Sequence, residues 1–121
     1  MAEVAVGRAD SFKARDRKVV VVEGIEIGVF RLGDDFFAWE NRCVHMGGPV
    51  CQGKIINRVE ERLAPDKQSL GYRFSPTEVN IVCPWHGYEY DIRTGCHQGN
   101  PLVRLKAVEL KLKDGTVFVV V

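Results

Sequence analysis

Hydrophobic and polar residues alternate over short runs along most of the chain, the two-residue period of strands with one buried face. The clearest case lies at the C-terminal end. Val108, Leu110 and Leu112 alternate with Glu109, Lys111 and Lys113, and Val117, Val119 and Val121 resume the pattern after Asp114-Gly115. An Asp-Gly pair between two alternating runs predicts a hairpin, because its tight turn needs positive φ at both central residues. The predicted role of this hairpin is to close a β-sandwich or barrel over the core. Residues 18–22 form a β-branched run ending at a Glu23-Gly24 turn. Residues 25–32 place Ile25, Ile27, Val29 and Arg31 on one face, Gly33-Asp34-Asp35 reads as the next turn, and 36–40 as another strand. Short strands divided by glycine and aspartate turns predict an antiparallel meander. No long segment carries a helical period, so the expected class is all-β.

The stretch 54–80 departs from this regularity. It carries Arg58, Glu60, Glu61, Arg62, Asp66, Lys67, Arg73 and Glu78, with Pro65 and Pro76 as breakers. It reads as a solvated excursion, an added hairpin running from 55–63 to 72–74, which surface loops tolerate.

At 121 residues the chain has the length of one domain, 1–121, able to bury a core of its own. The formal net charge of +1 gives no global footprint for nucleic acid. No apolar stretch reaches the length of a membrane span, and the first residues lack the basic and apolar regions of a secretory leader. The expected setting is therefore cytoplasmic. In that reducing compartment free thiols are the default.

The chemistry is concentrated in two motifs, Cys43-Val44-His45 and Cys83-Pro84-Trp85-His86. Two thiols and two imidazoles, delivered by two loops, are the donor set of a 2Fe–2S cluster with cysteines on one iron and histidines on the other. They also satisfy the ligand count of a structural zinc, although the one-residue gap in Cys-x-His is tighter than a zinc knuckle. A lone Cys-x-x-His would be weak evidence; the double motif is specific.

The surrounding residues extend the match. Cys43 to Pro49 is similar to the first cluster loop of the Rieske family. Cys83 to Asp91, followed by Arg93-Thr94-Gly95, resembles the second, and Gly99-Asn100-Pro101 resembles the proline-containing loop that covers the cluster. The resemblance implies a Rieske-type antiparallel β-sandwich with a cluster-binding subdomain of two loops. It implies one 2Fe–2S cluster held by Cys43 and Cys83 on the inner iron and by His45 and His86 on the outer. It also implies histidine edges facing solvent at the tip of the protein.

The resemblance further bears on potential. Respiratory-chain members carry an extra cysteine in each loop, joined as a disulfide; the corresponding positions here are Gly48 and Trp85, so Cys51 and Cys96 are expected as free thiols. High-potential members place a serine where this chain has Tyr88. Tyr90 aligns with a tyrosine that donates to a cysteine sulfur in high-potential members, and is equally compatible with low-potential ones. A missing hydrogen bond to sulfur destabilises the reduced state, so a midpoint below 0 mV, nearer about −150 mV, is expected. Trp85 is expected to pack beside the loops, and His97 to be an exposed loop histidine with no metal role. The stretch 46–82 between the motifs is longer than in compact members; the alternative to a plain solvated excursion in its added part is a docking surface for a redox partner.

The function implied is a soluble one-electron carrier, not an enzyme in its own right, passing electrons from a flavin-containing reductase to a terminal oxygenase. A mononuclear iron site of two histidines and a carboxylate would need two further histidines, and only His97 remains. The alternative is a cluster-bearing small subunit of a larger reductase, like that of nitrite reductase. A redox or iron sensor is a third reading, for which the neutral charge offers no DNA-binding surface.

Overall fold

Nine strands form among the described residues: β1 (Glu3–Arg8), β2 (Arg17–Val22), β3 (Ile25–Leu32), β4 (Asp35–Glu40), β5 (Lys54–Leu63), β6 (Ser69–Val82), β7 (Glu89–Asp91), β8 (Glu109–Lys113) and β9 (Thr116–Val120). The computed structural model describes residues 3–43, 47–66, 68–85 and 87–121. The strands make three antiparallel sheets, ordered β1-β9-β8, β2-β3-β4 and β5-β6-β7. The all-β expectation holds.

The two tight turns form where the sequence places them. Glu23 and Gly24 have φ of 51° and 79°, and Asp114 and Gly115 have 49° and 75°. Positive φ at both central residues matches the turn to the right-handed twist of the strands it joins. In the C-terminal hairpin Val117 and Val119 are buried, while Leu112 is 59 % exposed, so the alternation of β8 fails at its last apolar position. Strand β1 was not expected. Its Val4 and Val6 carry the alternating signal, and it pairs with β9 from Glu3↔Val120 to Arg8↔Thr116.

Strand β3 organises the interior. The expected face holds in part: Ile27 and Val29 are buried, but Ile25 is 38 % exposed and Arg31 is half-buried. The opposite face is buried as well, through Phe30 and Leu32. Ile27 and Val29 join Phe12, Val22, Ala38, Val117 and Val119 in one core. Phe30 and Leu32 join Trp39, Cys43, Val50, Cys51, Ile81, Cys83, Tyr90 and Ile92 in another. Side chains alternate across a strand, so a central strand covered on both faces divides two cores. Gly28 lies on the second face because a Cβ there would collide with the Cβ and Sγ of Cys51.

The added hairpin forms as β5 and β6, closed by the Ala64 N–H donating to the Gln68 carbonyl at 2.9 Å. Its second strand is far longer than expected and continues through Pro76 to Val82. Pairing runs regularly from Lys54↔Val82 to Asn57↔Val79, then shifts before resuming at Val59↔Phe74. The Ser75 hydroxyl accepts from the Thr77 and Glu78 N–H groups at 3.3 and 3.0 Å and so organises the bulge at 75–78. A bulge tolerates proline because its residues leave the ladder. Beyond it Val59 and Phe74 face solvent, 41 % and 68 % exposed.

Candidate metal centre

The two cysteine motifs sit in loops that leave β4 and β6. The first loop is drawn into a tight ring: the Cys43 N–H donates to the Gly48 carbonyl and the Gly47 N–H to the Cys43 carbonyl, both at 2.7 Å. Gly47 adopts φ of 73°, in the left-handed region open to glycine. The loop then passes through a short 3-10 turn, Val50–Gln52, whose Val50 and Cys51 are buried. The Asn41 side-chain oxygen accepts from the Cys51 N–H at 2.8 Å, and the Arg17 guanidinium donates to the Gly53 carbonyl. The second loop closes through the Cys83 N–H, which donates to the Tyr88 carbonyl at 2.7 Å.

These rings bring two thiols together. Cys43 and Cys83 are each 1 % exposed, unbridged, and adjacent in the second core. The Tyr90 hydroxyl lies 3.2 Å from the Cys43 sulfur. Burial pushes the Cys83 thiol up, the Trp85 backbone N–H bonded to its sulfur opposes this, and the adjacent Cys43 thiol pushes it up further. Burial and mutual repulsion disfavour two bare thiolates here, so the pair needs a cation to hold both as anions, and the Trp85 N–H and the Tyr90 hydroxyl lie within hydrogen-bond reach of the sulfurs. Two thiolates bound to iron fit that donor set. His45 and His86 lie outside the described residues.

The other two cysteines behave differently. Cys51 is fully buried, with its sulfur 3.5 Å from the Trp39 carbonyl. Burial drives its thiol up to about 12, against the Gly28 backbone N–H and the Arg17 charge. Cys96 is half-buried, and both are free thiols, as expected.

His97 corrects the sequence expectation: it is half-buried rather than an exposed loop residue. Its ring lies 4.6 Å from Tyr88 and 5.5 Å, edge-on, from Tyr90. Its Nδ1 accepts the N–H groups of Gly99 and Asn100 at 3.1 and 3.0 Å. Tyr88, at the serine position of high-potential members, thus packs on His97. His97 and the tyrosine pair carry the Gly99-Asn100-Pro101 loop beside the thiol pair. The sequence signal for this was faint, a histidine two residues before a Gly-Asn turn. Trp85 packs beside the loops as expected, although it stays 49 % exposed; a Cβ on Gly48 would stand 2.8 Å from its Cγ.

The chain belongs to the Rieske 2Fe-2S domain family, which it matches over residues 2–109. The cofactor of that domain is a single Rieske-type 2Fe–2S cluster. The chain is 33 % identical over 92 residues to a human Rieske domain-containing protein, covering 76 % of this chain and 48 % of that one. It therefore spans about half the length of that relative. It is 28 % identical over 104 residues to ferredoxin CarAc of Metapseudomonas resinovorans, covering 85 % of this chain and 78 % of the relative. The solved ferredoxin of carbazole 1,9a-dioxygenase from Nocardioides aromaticivorans IC177 superposes with a TM-score of 0.68 at 23 % identity, covering 98 % and 97 % of the two chains. At that identity the likeness is one of fold.

Proposed function

We propose that this chain is a cytoplasmic one-electron carrier, not itself a catalyst, that receives electrons from a flavin-containing reductase and delivers them to a terminal oxygenase. Its whole length, 1–121, acts as one cluster-bearing domain. Cys43 and Cys83 bind the inner iron and His45 and His86 the outer. The observation that carries this reading is the buried thiol pair, Cys43 and Cys83 in one core, with the Tyr90 hydroxyl 3.2 Å from the Cys43 sulfur. The 28 % identity to a ferredoxin supports the carrier role.

When bound, the cluster takes up and returns one electron. The protein's part is environmental. As a thiolate the Cys43 sulfur would accept from the Tyr90 hydroxyl 3.2 Å away, and the Cys83 sulfur accepts from the Trp85 N–H, so both contacts would stabilise added negative charge. Packing in the second core keeps water from the sulfurs. Tyr88 stands where high-potential members carry the serine, and its ring packs on His97 at 4.6 Å; the change of residue type supports a potential at the low end of the family range.

The test is anaerobic purification, iron and sulfide analysis, EPR of the dithionite-reduced protein and a potentiometric titration. The expected result is two irons and two sulfides per chain, a rhombic signal of low average g, and a midpoint below 0 mV. A colourless zinc protein would overturn the carrier assignment. A midpoint above about +150 mV would overturn the low-potential reading of the loops. A large reductase subunit that co-purifies with the chain would replace the free carrier by a small subunit.

A further inference from the structure

Gly48 and Trp85 stand where respiratory-chain members of the family tie their two loops by a disulfide, and in this chain the same two residues are in contact. A Cβ built on Gly48 falls 2.8 Å from Cγ and Cδ2 of the indole and 3.0 Å from Cε3. Any side chain at 48 would occupy the space the ring fills. Gly48 is itself fixed to Cys43, whose N–H donates to its carbonyl, and Trp85 lies inside the ring closed by Cys83 and Tyr88. The thiols meet at the buried end of the loops, and the indole spans them nearer the surface.

We propose that Trp85 is a positioning residue: its indole, seated on Gly48, clasps the two loops and governs how long the cluster is retained. The inference rests on the assignment of Cys43, His45, Cys83 and His86 as ligands. Release of iron requires the two loops to part. While the indole covers Gly48, parting also exposes the apolar surface between them, which adds to the barrier. The half-exposed ring would ordinarily read as a partner contact. Retention measured on the isolated protein separates the two roles, because no partner is present.

The experiment follows the decay of visible absorbance after an iron chelator is added to the reduced protein, alongside its thermal midpoint and EPR spectrum. Trp85→Ala is expected to lose the cluster about tenfold faster than wild type, the factor that follows from about 1.4 kcal/mol off the barrier. Trp85→Phe keeps an aromatic plate on Gly48 and is expected to stay near the wild-type rate. Gly48→Ala keeps the tryptophan in the chain but pushes its indole off the seat, and is expected to match Trp85→Ala. Thermal midpoints should move little. Wild-type retention in Trp85→Ala and Gly48→Ala would overturn the clasp, as would acceleration that merely tracks a lowered midpoint, or Phe behaving as Ala. A wild-type protein that binds no cluster would instead overturn the ligand assignment, and the clasp with it.

Discussion

The Tyr90 hydroxyl lies 3.2 Å from the Cys43 sulfur, in a core where Tyr90 has no exposed surface. A donor held there favours the more negative, reduced state. Tyr90→Phe keeps the ring and removes the donor. The midpoint potential is expected to fall by about 65 mV, the one-electron equivalent of about 1.5 kcal/mol, the lower end for a hydrogen bond to a charged group. Potentiometric titration checks this; an unchanged midpoint would mean that the hydroxyl does not act on the sulfur.

Cys51 sets a pH dependence of stability. Its folded-state value of about 12 lies well above that of an unfolded thiol. Between about 8.5 and 12 the unfolded chain has released this proton and the folded chain keeps it. Stability from this group is therefore complete below about 8.5 and falls as pH rises, by about 1.4 kcal/mol per pH unit. Urea midpoints at pH 8 and pH 10 should converge between wild type and Cys51→Ala. A constant difference would show that the thiol ionises alike in both states.

His97→Phe separates the two roles of that ring. The stack on Tyr88 and Tyr90 is retained, but the Gly99 and Asn100 N–H groups lose their acceptor. Both lie in an exposed loop and turn to water, so the expected loss of stability is about 0.5–1 kcal/mol. Amide exchange at Gly99 and Asn100 should accelerate, with core amides unaffected. Unaltered exchange at those two residues would exclude the bond as the loop's anchor.

Gly115 has φ of 75°, and a Cβ there would stand 3.0 Å from the Arg8 guanidinium. Gly115→Ala should cost about 1 kcal/mol, and Gly115→Asn less, since asparagine tolerates the left-handed region. Urea unfolding of the two variants gives the ranking; equal costs would locate the penalty in the contact with Arg8 instead of the backbone.

Much of this was legible in the sequence because it depends on local chemistry. Asp114-Gly115 and Glu23-Gly24 specify their own turns, and the two cysteine motifs identify the loops. What escaped depends on contacts between distant segments. Strand β1 becomes a strand by pairing with β9, and nothing near Val4 announces that partner. The second buried face of β3 exists because Cys51, more than twenty positions on in the chain, folds over Gly28. His97 looks like any loop histidine until the chain returns Tyr88 and Tyr90 to its side. The outer hairpin was visible as an excursion of charge and proline, but the bulge at Ser75 that lets β6 run past Pro76 was not.

That bulge bears on how the molecule behaves among its own copies. β5 is an edge strand, paired within its sheet to β6 alone among the described residues, and long open edges are templates for strand addition from another chain. Here the ladder is broken twice, between Asn57 and Val59 and between Glu61 and Leu63. Breaks in register increase local twist and interrupt the row of backbone groups that a second edge would need. The hairpin thus reaches beyond the core with Val59 and Phe74 turned to solvent and yet presents a poor seed for fibrils.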